Sequence, residues 1–140
     1  MAFTVTTYGS DKDGLVCAYL FAPLEAGRPV DSDEAAAWLG APPVPGSFLW
    51  LHFNVSNAAA LRFMQQHLAL PDAFHESLRG DAGSTRVEQS GDWLVAVLND
   101  VLFDFAFDAS HVSTVNLCVE RRLMVSARAK PLRVQGADLP

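Results

Sequence analysis

The stretch Ser84–Asp100 constrains the fold more than any other part of the sequence. Its two halves flank the turn Ser90–Asp92, and a short loop with Gly at its centre between two strand-like runs predicts a β-hairpin. Side chains alternate between the faces of a strand, so Arg86 and Glu88 share one face and are spaced for a structural ion pair. The second run, Trp93–Leu98, is almost wholly apolar, which predicts a strand buried on both faces at the centre of a sheet.

Composition supports a single packed domain over residues 1–140. Half of the residues are hydrophobic and 19% are charged, as in a folded globule. A net charge of −6 disfavours nucleic acid as a partner, because phosphate binding needs clustered Lys and Arg. The two cysteines, Cys17 and Cys118, lie in apolar runs and are predicted to be buried, reduced thiols. The start of the chain lacks a signal-peptide pattern, and no apolar run reaches the ~18 residues of a membrane-spanning helix.

The spacing of apolar residues predicts an α+β fold. Because the strands of the last third follow one another directly, a largely antiparallel sheet is favoured over a parallel doubly wound one. We expect a mixed, largely antiparallel β-sheet packed with helices as an α/β sandwich. Outside the hairpin, the predicted elements are strand Leu15–Phe21, helix Glu34–Leu39, strand Phe48–Phe53, helices Ala58–Leu68 and Asp72–Leu78, an alternating strand after Asp100, and the paired strands Val112–Val119 and Leu123–Ser126.

Three residues around the Leu70–Pro71 helix break suggest a metal site. His67, His75 and Glu76 lie on successive predicted helices, and imidazole and carboxylate groups are zinc ligands. Their spacing matches no known metal motif, so the favoured interpretation from spacing alone is that they are ordinary exposed helix residues.

Charged residues are unevenly distributed in the last third of the chain. Three acids, Asp100, Asp104 and Asp108, recur at a spacing of four, which on a strand is about 13 Å, so one ion cannot bridge two of them. A solvated acidic face that attracts cations weakly is the expectation. The basic residues that follow suggest an intersubunit or membrane-proximal contact, or ordinary surface scatter, and they are Arg121, Arg122, Arg128, Lys130 and Arg133.

The remaining candidates have structural interpretations. Asp11–Gly14 begins like a calcium loop but lacks the later ligands and the closing Glu, so a turn is predicted. His52 lies in a strand beside Trp50 and is expected to be a hydrogen-bonded residue of the core or its rim. Since no nucleophile, phosphate-binding or paired-carboxylate motif is present, we predict neither an enzyme nor a resident cofactor.

A set of short segments, taken in order, resembles a known family. The set is Trp50–Asn54 followed by a helix, Leu70–Pro71 followed by a short helix, Ser84–Glu88, Leu98–Val101, and Glu120–Ser126 with Arg128. Together these segments resemble the N-terminal cytoplasmic domain of CorA-type divalent-cation transporters, and they are most similar to the ZntB-type zinc-transporter branch. The resemblance covers roughly residues 15–132.

The resemblance implies a soluble domain on the cytoplasmic side of the plasma membrane, with a funnel or regulatory role in zinc or magnesium transport. In the family this domain belongs to a homopentamer, and long helices, two transmembrane helices and a Gly-Met-Asn loop follow it. Since the sequence ends at Pro140 without these segments, we expect a truncated domain whose partners are divalent cations and further copies of itself. A free-standing soluble binding module without a membrane partner is the alternative.

The resemblance also implies one metal site. In CorA-type magnesium channels an acidic pair follows the equivalent Pro at the helix start, and its second carboxylate joins a regulatory metal site between subunits. His75 and Glu76 occupy those places here. A His in place of the acid suits zinc better than magnesium, since imidazole is a favoured zinc ligand.

Overall fold

Ten secondary-structure elements make up the described parts of the chain, residues 10–80, 85–101 and 112–128 of a computed structural model. In chain order they are β1 Leu15–Phe21, β2 Arg28–Pro29, α1 Ser32–Gly40, β3 Phe48–Asn54, α2 Ala58–His67, α3 Asp72–Arg79, β4 Arg86–Ser90, β5 Trp93–Val101, β6 Val112–Val119 and β7 Leu123–Arg128. The short β2 is not among the elements that the sequence predicts.

The described strands form one mixed sheet with the order β2-β1-β3-β7-β6-β5-β4. β3 and β7 run parallel, with Leu49 opposite Leu123 and Phe53 opposite Ala127, whereas the other neighbouring strands are antiparallel. The predicted α+β class with a mixed, largely antiparallel sheet is therefore confirmed.

The three described helices pack on one face of this sheet. Along β3, Leu49, Leu51 and Phe53 are buried in alternation with half-buried neighbours. The buried three belong to the same core cluster as Phe63 of α2 and Phe74 of α3. The opposite face of β3 therefore points away from the helices, because successive strand side chains alternate between faces.

The helices begin where polar residues satisfy their first backbone N–H groups. The Asp31 carboxylate accepts a hydrogen bond from the Glu34 backbone N–H (2.8 Å), and the Glu34 side chain accepts one from Asp31 N–H (3.4 Å), a capping box. Asn57 caps α2 by accepting from Ala59 N–H at 2.9 Å. Pro71 is the residue immediately before α3 and makes no side-chain cap, so the helix begins at Asp72 as the sequence predicts.

The predicted hairpin forms, but its second strand is not at the centre of the sheet. Gly91 has a φ of +62°, the left-handed conformation that tight hairpin turns require. β5 is the second strand from the β4 edge, and Leu94 and Leu98 are 47% and 37% exposed on the face without helices. The prediction of burial on both faces is therefore wrong, because the helices cover only the face that carries Val95 and Val97.

Arg86 and Glu88 lie on the edge strand β4, where both are exposed. The predicted ion pair between them is absent from the described part of the chain. Cys118 is buried and Cys17 half-buried, and both thiols are free. Burial raises the pKa of the Cys118 thiol to about 12, as expected of a reduced thiol in the core.

Some predicted features lie outside the described residues. They include the strand after Val101, the side chains of Asp100, Asp104 and Asp108, and the last basic residues, Lys130 and Arg133. Within the described ranges, each helix is too short or too polar to cross a bilayer.

Candidate functional site

The predicted metal ligands His75 and Glu76 lie on α3. This helix is anchored by Phe74, which is fully buried in the core, and it packs against β5 and β6. His75 is half-buried, with its ring edge-on to Phe74 at a centroid distance of 6.1 Å, whereas Glu76 is exposed. Successive residues on a helix do not face each other, so a metal bound here would need ligands from another element or another chain.

The wider set with His67 does not assemble. His67 ends α2 with its ring 4.6 Å from that of Phe63, and its side chain is exposed. Among the residues that the structure describes, no three His, Cys, Asp or Glu side chains lie close enough to hold one metal ion. The pair His75 and Glu76 stays a prediction of a partial site.

The carboxylates of the turn that begins at Asp11 bond to groups within the domain. Asp11 accepts hydrogen bonds from the backbone N–H groups of Asp13 and Leu15, at 2.8 and 3.0 Å. The Lys12 ammonium lies 2.9 Å from Asp13 and 3.0 Å from Asp33. These bonds lower the pKa of Asp13, chiefly through Lys12, and raise that of Lys12. The turn prediction is confirmed, since residues 12–14 form a turn in which the Gly14 N–H donates to the Asp11 carbonyl at 3.1 Å.

The face of the sheet without helices carries a row of aromatic side chains. Tyr19 of β1 stacks on Trp50 of β3 at 5.9 Å, and Phe21 lies 6.3 Å from Phe48. The register places each pair directly across the β1–β3 ladder. Four large apolar side chains on this face remain more than a third exposed, and they are Phe21, Val87, Leu94 and Leu98.

His52 lies at the middle of this face in a hydrogen-bonded chain. Trp50 Nε1 donates to Ser126 Oγ at 2.9 Å, and His52 Nδ1 lies 2.8 Å from the same oxygen. Because an indole N–H can only donate, Ser126 accepts from Trp50 and has its own hydrogen for Nδ1. Burial, with a smaller effect of the Arg128 charge, lowers the pKa of His52 to about 4, so the ring is neutral at pH 7. The prediction of a hydrogen-bonded strand histidine is confirmed.

The basic residues at the end of the chain do not form one patch in the described ranges. Arg122 stacks over the Trp38 ring at 4.7 Å, at the start of β7. Arg128 ends β7, six positions along the chain from Arg122, and an extended strand spans about 20 Å over that distance. Arg122 therefore packs on the domain itself.

A small cavity of about 210 Å³ lies between α1 and the three strands β2, β1 and β3 at one end of the sheet. Leu20, Val30 and Trp38 line it, and the exposed ion pair of Arg28 and Glu34, 3.3 Å apart, lies at its rim. The lining contains no nucleophile or metal-ligating cluster, so the cavity suggests no chemistry.

Comparison with known proteins gives a fold but no family. No protein-family model matches the sequence, and no curated protein matches it. Among solved structures, the full-length CmaX protein superposes with a TM-score of 0.70 at 22% identity, over 93% of this chain and 39% of that one. The ZntB cytoplasmic domain from Vibrio parahaemolyticus superposes with a TM-score of 0.59 at 11% identity, over 84% of this chain and 44% of that one.

At these identities the similarity establishes the fold alone. The chain has the fold of a segment of CmaX and of the ZntB cytoplasmic domain, and it spans less than half the length of either. The resemblance seen in the sequence is therefore confirmed at the level of this α+β fold. Neither neighbour is named as an enzyme.

Proposed function

We propose that this chain is the cytoplasmic domain of a larger divalent-cation transport protein, with a funnel or regulatory role. The observation that supports this most directly is the shared fold with the ZntB cytoplasmic domain over 84% of the chain. The ordered sequence segments, such as Trp50–Asn54 and Ser84–Glu88, resemble the same family independently of the fold. Zinc is the preferred ion over magnesium, because His75 replaces an acid at the metal-site position.

The described helices cover one face of the sheet and leave the other exposed, which supports a role within a larger protein. One face is packed against the helices, whereas the other exposes Phe21 on β1 and, four strands away, the adjacent side chains Val87, Leu94 and Leu98 on β4 and β5. Contiguous exposed apolar surface of this kind marks contact sites with other protein segments. If the chain is instead a free-standing binding module, which is the alternative function, its ligand would bind to this exposed face.

The proposed mechanism is electrostatic. A net charge of −6 raises the local concentration of cations near the domain. Metal bound between subunits of a homopentamer would then bias the equilibrium between open and closed pores, since a ligand shifts an equilibrium toward the state it binds better.

The coding sequence beyond Pro140 tests the transport proposal. We expect two apolar segments of about 20 residues each, long enough to span a bilayer as helices. Expression of such a protein should change the zinc content of cells, and a variant with this domain deleted should lose regulation of that transport. A reading frame without apolar segments would instead support the free-standing module.

The metal site is tested by zinc titration calorimetry on the isolated chain. We expect His75→Ala and Glu76→Ala each to weaken zinc binding about tenfold or more, because each removes one ligand. His67→Ala is the matched control, since His67 is an exposed helix histidine outside the proposed site. Equal zinc affinity in the wild type and both α3 variants would remove the site from the proposal.

A further inference from the structure

Among the described strands, β4 has a neighbour on one side alone, which leaves its other side open for pairing. In the described part of the sheet, β4 is the outermost strand and pairs only with β5. Its residues Arg86–Gln89 are all exposed, and Val87 is 63% exposed. An edge strand of this kind is a template for a further strand unless its side chains prevent pairing.

The turn determines which backbone groups of β4 point outward. Ser90 pairs with Trp93 across the two-residue loop, so the turn hydrogen bond runs from Trp93 N–H to the Ser90 carbonyl. In an antiparallel ladder, hydrogen-bonded and non-hydrogen-bonded pairs alternate. Arg86, Glu88 and Ser90 therefore direct their backbone groups toward β5, whereas Val87 and Gln89 direct theirs outward.

We propose that β4 pairs antiparallel with β4 of a second copy of this chain, around a two-fold axis at Val87. An axis at this residue uses the outward backbone groups of Val87 in both copies. It also places Arg86 of each chain directly opposite Glu88 of the other, and opposite charges across a ladder stabilise the pair.

Charge complementarity selects this register over its neighbours. An axis at Glu88 would place two Glu88 carboxylates against each other, and an axis at Arg86 would oppose two guanidinium groups. Like charges directly opposite each other are destabilising. An axis at Gln89 would require Gly91 and Asp92 to extend the ladder, but these residues form the turn.

The apolar face of the sheet favours the same contact. Val87, Leu94 and Leu98 lie on the face without helices, because Val87 is opposite Ala96 and side chains two residues apart share a face. Pairing would cover the exposed Val87 with the same residue of the second copy and join the two apolar faces into one. Such a contact is isologous, as in most two-fold dimers.

This inference does not rest on the proposed transport function. Strand pairing around a two-fold axis joins copies two at a time, so it predicts a dimer of this chain whether or not a longer protein forms a pentamer. A monomeric chain would leave the transport proposal untouched, and absence of transport would leave the dimer untouched.

Sedimentation equilibrium of the 140-residue chain tests the pairing. The monomer mass is 15.2 kDa, and we expect a species of twice that mass. Arg86→Glu should weaken the dimer about tenfold or more, because both cross-strand ion pairs become repulsive. The double variant Arg86→Glu with Glu88→Arg should restore the dimer, since the charges are exchanged but remain opposite.

Arg62→Glu is the matched control, because it makes the same charge change on the exposed surface of α2 and should leave the dimer intact. Circular dichroism confirms that each variant is folded, and the restored double variant excludes a general loss of structure. A wild-type chain that stays monomeric to about 100 µM would overturn the proposal. An Arg86→Glu chain that dimerises as tightly as the wild type would overturn it as well.

Discussion

Replacement of Gly14 by alanine is expected to destabilise the domain by about 3 kcal/mol, the sum of a backbone cost and a steric cost. Gly14 has a φ of +76°, a left-handed conformation that alanine adopts only with strain. An added Cβ would lie 2.6 Å from Ala60 Cβ and 2.8 Å from Ala60 N. Ala60 is fully buried at the start of α2, so the helix cannot move away without breaking core contacts.

Alanine substitutions at two other glycines separate the backbone cost from the steric cost. Gly91 has a φ of +62° but open space around it, so Gly91→Ala should cost about 1 kcal/mol from the backbone alone. Gly40, at the end of α1, has open space and no positive φ, so Gly40→Ala should be near neutral. Urea unfolding followed by circular dichroism measures all three. Equal losses at Gly14 and Gly91 would show that contact with Ala60 contributes nothing.

The local elements of this fold are predictable because their signals are local. The continuous apolar run Phe48–Phe53 and the helical spacing of apolar residues in Ala58–Leu68 are properties of single elements, and both elements form within one residue of the predicted bounds. The parallel pairing of β3 with β7 is not predictable in this way, since it joins residues more than 70 positions apart. The apolar run of β5 does not predict the position of its strand for a related reason: it indicates a strand that is partly shielded from water, but not where in the sheet that strand lies.

The candidate site was predictable only in part. The pattern correctly placed His52 on a strand with a hydrogen-bonded role, but its partner Ser126 comes from β7 and could not be named. The positions of His75 and Glu76 on a short helix after Pro71 were predicted correctly. Whether they bind metal depends on groups beyond this helix, which no spacing within it can reveal.

Acid is expected to destabilise the domain through His52. Burial lowers the pKa of this ring to about 4, against an ordinary value of 6.5. Below pH 6.5 the His52 ring becomes protonated in the unfolded chain but stays neutral in the folded chain. The free energy of unfolding therefore falls as the pH drops from about 6.5 to about 4. The full loss is about 3 kcal/mol, and about 2 kcal/mol of it is reached near pH 5.

Comparison with a non-titrating side chain isolates this contribution from that of the carboxylates. In His52→Asn, a side-chain amide can replace Nδ1 beside the Ser126 hydroxyl without taking up a proton. Its free energy of unfolding should therefore fall less than that of the wild type between about pH 7.5 and pH 5. His67→Asn, which changes an exposed ring, should keep the pH dependence of the wild type. NMR titration gives the direct measurement: a His52 midpoint close to 6.5 would contradict the prediction, because a group with the same pKa in both states cannot link stability to pH.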